Sequence, residues 1–270
     1  MSRAARLVRL DAELVRRGLA RSREQAVELI GAGRVEVRGV VASKAATGVA
    51  ADASVRVTAV ADEPNYASRG GRKLAGALER FAGLRLAGRR CLDAGASTGG
   101  FTDVLLRAGA TEVVAVDVGY GQLAWPLRSD PRVTVIDRTN VRTLTADAIG
   151  GQADVTVADL SFISLRLVLD SLAACTKPEG DLIPMVKPQF EVGRERLGSG
   201  GVVRDPGLRA DAVADVAAYA VTLGWHPVSV VTSSLPGPSG NVEFFLWLRR
   251  DADPVPPADL RAAIGAEAGA

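Results

Sequence analysis

The sequence predicts a chain of two parts: a large α/β domain on a mainly parallel seven-stranded sheet, and ahead of it a small basic α+β domain. Three observations carry that prediction. From about residue 73 onward, short apolar runs alternate with helical stretches, the pattern of a parallel sheet covered by helices on both faces. Residues 90–101 run strand, Gly-rich turn, helix, as at the first crossover of such a sheet. The net charge of +2 hides an asymmetry. Residues 1–60 hold eleven Arg/Lys against six Asp/Glu, and the remainder holds 22 against 25. A basic module on a mildly acidic body predicts that the N-terminal part meets a polyanion.

Composition narrows the rest. A chain of 270 residues, 47% of them hydrophobic, buries a sizeable core, although aromatics are scarce at 4%. No apolar run approaches the roughly 18 residues of a membrane span. The Arg-rich start has no apolar stretch behind it, so neither a membrane partner nor a secretion leader is expected. Cys91 and Cys175 lack metal-type spacing and read as small core residues in a reducing, cytoplasmic setting. The lone histidine, His226, sits between Trp225 and Pro227, which argues against serine-type triads and His-based zinc sites; no metal is expected.

Residues 9–29 read as two short helices. Leu10, Leu14 and Val15 share a face of the first, which ends at Arg17-Gly18. Ser22 is a good N-cap for the second, with Gln25 at the capping-box position. That helix turns Ala26, Leu29 and Ile30 inward and stops at Gly31. Residues 34–41 alternate like a strand entering a hairpin, and Val55-Arg56-Val57 resembles a closing strand. Arg38 precedes the hairpin Gly39, where positive φ is uncomfortable for arginine. Residues 61–65 (Ala-Asp-Glu-Pro-Asn) have linker chemistry. The expected boundaries are 1–60 for the small domain, 61–67 for a linker, 68–250 for the large domain and 251–270 for a flexible Ala- and Pro-rich tail with a short helical turn at 260–264.

In the large domain, a helix over 73–81 carries an apolar stripe of Leu74, Ala77, Leu78 and Phe81. Strands end at Asp93 and Asp117, and further strands occupy 133–137, 154–159 and 181–187. A Gly-rich loop spans 188–204 and a helix 206–223. Strands near 227–231 and over 242–248 complete the sheet.

The turn after the first strand is Asp93-Ala94-Gly95-Ala96-Ser97-Thr98-Gly99-Gly100-Phe101. Glycine lets the backbone approach a ligand, and a helix start offers free N–H groups. Asp117 ends the next strand, where a carboxylate accepts from both hydroxyls of a ribose. NAD and S-adenosyl-L-methionine sites share that feature, and the glycine spacing separates them. A dinucleotide site wants G-x-G-x-x-G beneath a pyrophosphate. Here Ala-Ser-Thr follows Gly95, and Asp93 stands two residues before it; an acid there repels a pyrophosphate and suits a cationic sulfonium carrying an amino group. The reading is a Rossmann-like S-adenosyl-L-methionine pocket. Gly95, Ser97, Thr98, Gly99 and Phe101 are assigned to the methionine side, and Asp93 to the amino group. Asp117 takes the ribose, Asp137, Arg138 and Asn140 lie near the adenine, and Phe162 packs against the pocket.

The N-terminal motifs, from Arg9-Leu10-Asp11 through Leu14-Val15-Arg16-Arg17-Gly18 to Gly33-Arg34-Val35-Glu36-Val37, resemble the small RNA-binding domain named after ribosomal protein S-four. That module binds structured RNA through the basic face of its two helices. The resemblance makes Arg16, Arg17, Arg21, Arg23 and Arg34 candidate phosphate contacts.

Ligands in parallel sheets bind outside the carboxyl ends of the strands. Asp159 ends the fourth strand and Lys187 the fifth. Glu243 begins the last strand and reaches the same edge if that strand is antiparallel. Lys73 lies on a helix able to cover that edge. The chain prefers Arg, with only Lys44, Lys73, Lys177 and Lys187 as lysines. Lysine can become a base where arginine cannot, so Lys73 and Lys187 stand out. Lys177, in Thr-Lys-Pro-Glu-Gly, reads as a turn residue.

The segments 91–102, 117–123, 158–164, 186–191 and 237–243, including Val186-Lys187-Pro188-Gln189-Phe190-Glu191 and Gly237-Pro238-Ser239-Gly240-Asn241-Val242-Glu243, resemble the TlyA family over nearly the whole chain. The resemblance implies an S-four-like domain followed by an FtsJ/RrmJ-like methyltransferase domain, and 2′-O-methylation of cytidine ribose in ribosomal RNA of one or both subunits. It also implies a catalytic Lys-Asp-Lys-Glu set at Lys73, Asp159, Lys187 and Glu243. Lys187, beside Lys73, then takes the hydroxyl proton or stabilises the developing alkoxide, while Asp159 and Glu243 orient the lysines. Three alternatives stand beside it: a non-catalytic ribosome-binding protein, a cytolysin (TlyA-like proteins are often labelled haemolysins), and an NAD-dependent enzyme, which the glycine spacing disfavours.

Overall fold

The computed structural model describes residues 7–20, 22–58, 65–253 and 255–269. The chain divides into two compact units at the Asn65/Tyr66 boundary.

The first unit contains β1 (Val8–Arg9), α1 (Leu10–Arg16), α2 (Arg23–Gly31), β2 (Val35–Val37), β3 (Val40–Val41), β4 (Gly48–Val49) and β5 (Val55–Val57). Both helices lie where the periodicity predicts them. The Ser22 hydroxyl caps α2 by accepting the Gln25 N–H at 3.2 Å. Leu10, Leu14, Ala26, Ile30 and Val35 form the core between helices and sheet. The sheet order is β3-β2-β5. Its hairpin turns on Arg38 (φ 53°) and Gly39 (φ 81°), two consecutive left-handed residues. This is the turn whose twist matches a tight hairpin, so the hairpin imposes positive φ on Arg38. The Arg38 N–H also donates to the Ser54 carbonyl at 2.8 Å, which fastens the turn to the start of β5. The β1–β4 ladder, Val8↔Val49 and Arg9↔Gly48, is too short to leave a periodic signal in the sequence.

The second unit follows with α3 (Arg69–Arg80), β6 (Arg90–Ala94), α4 (Gly100–Arg107), β7 (Glu112–Val116), α5 (Trp125–Arg128) and β8 (Val133–Ile136). It continues with β9 (Ala153–Ala158), α6 (Leu169–Ala174), β10 (Thr176–Val186), α7 (Pro188–Glu191), α8 (Pro206–Thr222), β11 (His226–Thr232), β12 (Phe244–Arg249) and α9 (Pro257–Ala268). The seven strands are ordered β11-β12-β10-β9-β6-β7-β8. β12 is antiparallel to both its neighbours, and the other pairs are parallel. Successive side chains of a strand face opposite ways. Phe244 therefore joins Leu92, Val114 and Trp225 in one apolar layer, and Phe245 joins Leu74, Leu105 and Phe101 in the other.

Four expectations are corrected. α3 begins at Arg69, four residues before Lys73, and takes in Gly70 and Gly71. Each glycine costs about 1 kcal/mol in a helix interior. What offsets it is contact: a Cβ on Gly71 would sit 2.5 Å from Tyr66 Cβ and 3.0 Å from the Gly100 carbonyl, and one on Gly100 would sit 2.8 Å from the Gly71 nitrogen. The starts of α3 and α4 meet through bare backbone. The expected flexible tail is the second correction, because 257–268 form a packed helix. Ile264 and Ala268 are buried, and Glu267 accepts the Thr232 N–H at 2.7 Å and pairs with Arg80 of α3. The composition of this segment hid the few residues that anchor it. Tyr66 and Ala67, expected in the linker, are the third correction and belong to this unit: the Ala67 N–H donates to Asp103 at 2.8 Å, and Arg107 lies over the Tyr66 ring. The fourth is Lys177, expected in a turn: β10 starts at Thr176, five residues before the expected strand, and Lys177 lies in it, paired with Asp154 at 2.7 Å.

Candidate active site

β6 delivers the chain to Gly95, whose N–H and that of Ala96 both donate to the Val116 carbonyl. Gly95 has φ 87°, and a Cβ there would lie 2.5 Å from the Asp159 carbonyl. Only glycine lets this loop close against the end of β9. Ser97 (φ 48°) and Gly99 (φ 95°) continue the bend into α4, whose start has no side-chain cap. Ser97 and Thr98 are exposed on the loop.

Asp93 is fully buried beneath the loop. Its Oδ2 accepts from Thr102 Oγ1 at 2.6 Å, and its Oδ1 has no partner among the described residues. Burial pushes its carboxyl up to about 7 against the Thr102 hydrogen bond, and Asp159 and Asp117 add like-charge repulsion. An orphaned, buried acceptor fits a cationic or N–H-bearing ligand at the loop. Asp117 accepts the Ser97 N–H at 2.8 Å and the Gly119 N–H at 2.7 Å, one on each oxygen. Each oxygen keeps a lone pair, so the loop holds Asp117 in place without saturating it.

Three of the outer residues have other work. Asp137 pairs with Arg128 at 3.0 Å. Arg138, at φ 57°, lays its guanidinium 4.2 Å from the Tyr120 ring centroid. The Asn140 side chain caps the turn at 141–143 by accepting the Arg142 N–H. Two phenylalanines depart from expectation. The Phe101 side chain is 3% exposed and packs against Phe245, so only its backbone belongs to the loop. Phe162 does not pack against the expected pocket at the Gly95 loop: it is 92% exposed, with its ring centroid 5.3 Å from that of Phe190. An apolar residue at a strand end reads the same in sequence whether it faces inward or outward.

Lys73 and Glu243 form a buried ion pair joining α3 to the start of β12. Lys187 Nζ lies 2.6 Å from Asp159 Oδ1 and 2.9 Å from Ser161 Oγ. The four expected residues thus stand as two lysine–carboxylate pairs at the sheet's carboxyl edge. Lys187 and Glu243 line one cleft of about 340 Å³, together with Ser161, Phe162, Gln189 and Phe190. Gly200, Gly201, Pro238 and Ser239 line it as well.

Glu191 is a residue the sequence reading did not assign. It is buried and accepts from Ser164 Oγ at 2.6 Å and the Leu165 N–H at 2.7 Å. It joins the loop after Asp159 to the short helix after Lys187, and burial raises its carboxyl above the ordinary value. Its place four residues after Lys187, in Lys-Pro-Gln-Phe-Glu, is the one sequence signal it leaves.

In the first unit, buried carboxylates hold the arginines. Glu13 binds Arg16 and Arg17, which bring its carboxyl down to about 2. Asp11 binds Arg9 and Arg23, which hold its carboxyl well below the usual range. Arg16 and Arg23 are nonetheless 61% exposed at the side chain. Arg17 is turned inward, donating to the carbonyls of Ala53 and Ala51. Arg34 donates to the Thr58 carbonyl at 3.1 Å. Arg21 lies outside the described residues.

Residues 66–250 match the FtsJ-like methyltransferase family, and residues 8–55 match the S4 domain. The 16S/23S rRNA (cytidine-2′-O)-methyltransferase TlyA of Mycobacterium tuberculosis is 62% identical over 92% of both chains. Hemolysin A of Brachyspira hyodysenteriae is 34% identical over 88% of this chain and 98% of its own. A solved structure of a hemolysin candidate from Streptococcus thermophilus superposes with a TM-score of 0.76 at 35% identity, covering 98% of this chain and 97% of its own. Among the described residues, no helix is long and apolar enough to cross a membrane.

Proposed function

The chain belongs to the TlyA family, with its S4 and FtsJ-like methyltransferase domains, and from that premise we propose that it transfers a methyl group from S-adenosyl-L-methionine to a cytidine 2′-hydroxyl of ribosomal RNA. One observation carries the reading: Lys187, held by Asp159, lines a cleft at the strand edge, and the Gly95 loop is pressed against the Asp159 backbone at that edge. The small N-terminal module supplies RNA affinity, 66–250 the chemistry.

The residues at the loop fit the cofactor. Asp93, with its unpartnered Oδ1, would meet the amino group, Asp117 the ribose, and the backbone of 95–101 the methionine moiety. When bound there, S-adenosyl-L-methionine supplies an electrophilic methyl group. The protein's part is positioning and proton handling. A ribose hydroxyl is a weak nucleophile near neutral pH, so a group at hydrogen-bond distance must accept its proton or stabilise its developing charge. Lys187, held by Asp159 and Ser161 and facing the cleft, is that group. Lys73 and Glu243 lend the second pair, in which neither buried charge stands alone. Holding the hydroxyl in line with the methyl provides much of the acceleration.

The test is transfer of labelled methyl to separated ribosomal subunits and to naked ribosomal RNA, with Lys187→Ala alongside. A ribose methyl blocks alkaline cleavage, so alkali-resistant labelled dinucleotides made by wild type and lost in the variant are expected. Resistant dinucleotides formed equally by a Lys187→Ala protein would remove Lys187 from the mechanism. No transfer to any ribosomal RNA, with cofactor binding intact, would favour a non-catalytic ribosome-binding protein.

A further inference from the structure

Two side-chain amides line the cleft, and the fold uses them differently. Asn241 is buried and fully engaged: its Oδ1 accepts the Val203 N–H at 2.9 Å and its Nδ2 donates to the Gly201 carbonyl at 3.0 Å. Gln189 lies on α7, two residues past Lys187. Its Oε1 is shut away from water and has no hydrogen-bond partner among the described residues. A buried acceptor without a donor is costly, and a turn of the side chain into the cleft that Gln189 lines relieves that cost by bringing Oε1 to a ligand N–H.

The surroundings narrow which N–H. Lys187 faces the same cleft and is committed to the ribose hydroxyl in the function proposed above, on which this inference rests. The rings of Phe162 and Phe190 line the cleft too, and flat aromatic surface takes a flat heterocycle. A base attached to the reacting ribose therefore lies within the same walls as Gln189. Bases differ in what their edges present. Cytosine and adenine carry an exocyclic amine that donates; uracil places a carbonyl oxygen where cytosine has its amine. Two oxygens facing each other would leave Oε1 unsatisfied and add repulsion.

We propose that Gln189 is a specificity-determining residue, whose side-chain oxygen accepts a hydrogen bond from the exocyclic amine of the target base and so favours cytidine over uridine.

The test begins by mapping the methylated cytidine in ribosomal subunits that lack the modification. Matched subunits are then prepared with uridine at that position. Rates on both are compared for wild type, Gln189→Leu and Gln189→Glu, with S-adenosyl-L-methionine affinity measured by calorimetry as a check on folding. Glutamate keeps an acceptor at the end of a chain of the same length, whereas leucine removes it. Wild type is expected to prefer cytidine by about 10- to 100-fold, the scale of discrimination from a good base contact. Gln189→Leu is expected to lose most of that preference, chiefly by methylating cytidine more slowly, and Gln189→Glu to retain it. A Gln189→Leu protein that slows on both subunits equally, keeping the wild-type ratio, would overturn the proposal while leaving the methyltransferase reading intact. Wild-type protein inactive on every ribosomal RNA would overturn that reading and this one with it.

Discussion

Lys73 of α3 and Glu243 at the head of β12 form an ion pair that is almost entirely out of water, with 6% and 1% of their side chains exposed. A Cβ on Gly237 would lie 2.6 Å from Glu243 Oε1, so the 237–243 turn wraps closely around the carboxylate. Lys187 and Asp159 form the more open pair, with Asp159 a quarter exposed. Each pair gives one residue to the cleft, Glu243 and Lys187, but their burdens differ: the buried pair also ties α3 to the sheet, and the other keeps a more accessible carboxylate.

Removing one partner of the buried pair should cost stability as well as activity. Glu243→Ala leaves the Lys73 ammonium buried alone, a loss of about 3–5 kcal/mol. For a domain of this size that corresponds to a fall in thermal midpoint of roughly 10 °C. Asp159→Asn, at a more accessible pair, should abolish transfer with a much smaller shift. Calorimetric melting of the two variants beside a transfer assay checks this; equal midpoints would show that the buried pair carries no more of the fold than the open one.

Asp93 predicts a pH dependence. Its carboxyl is raised in the folded protein to about 7 from its ordinary value of 3.8. Between those values the folded protein holds more protons than the unfolded chain, so this group's contribution to stability falls as pH rises from 4 to 7 and is level above. A cationic group at Oδ1 favours the ionised form. Cofactor affinity should therefore strengthen as pH rises through about 7, and binding below 7 should release a proton. Calorimetry in buffers of different ionisation enthalpy measures that proton directly. Asp93→Asn should abolish its release and weaken binding, and a wild type that binds with no proton release near pH 6.5 would contradict the assignment.

Glu191 should act through Asp159 and Lys187 rather than on substrate. Glu191→Ala frees the loop that carries Ser161 and Phe162 from the helix after Lys187. A turnover loss on the order of 10- to 100-fold is expected, the scale of a misplacement near 1 Å. Glu191→Gln keeps an acceptor for the Leu165 N–H and a donor for Ser164, and should restore most of the turnover. The check is kcat and KM for both variants: equal defects would show that the charge of Glu191, not its hydrogen-bonding shape, matters.

The arginines of the first unit should separate into two kinds. Arg16→Ala and Arg23→Ala remove exposed charge and should each lower the salt dependence of RNA binding by about 0.9 per lost phosphate contact on a duplex. Arg17→Ala loses bonds to the Ala51 and Ala53 carbonyls and should lower the melting point of the unit instead. RNA binding titrated against salt, beside melting curves, distinguishes them.

The sequence by itself determined the strand–loop–helix at 90–101, the seven strands except the early start of β10 at Thr176, the two helices and hairpin of the small unit, and the four charged residues at the sheet edge. These are legible because they rest on local pattern: alternation, caps, turn glycines, and acids or lysines at strand ends. Tertiary structure decided what depends on contact. It turned Phe101 into the core and Phe162 toward solvent, although both are phenylalanines beside the same site. It put Gly70 and Gly71 inside a helix because Gly100 lies against them. It packed residues 257–268 through Ile264, Ala268 and Glu267, and it buried Glu191 between the loop after Asp159 and the helix after Lys187. Burial and hydrogen-bond partnership belong to pairs of residues distant in the chain, and a single position's chemistry does not record its partner.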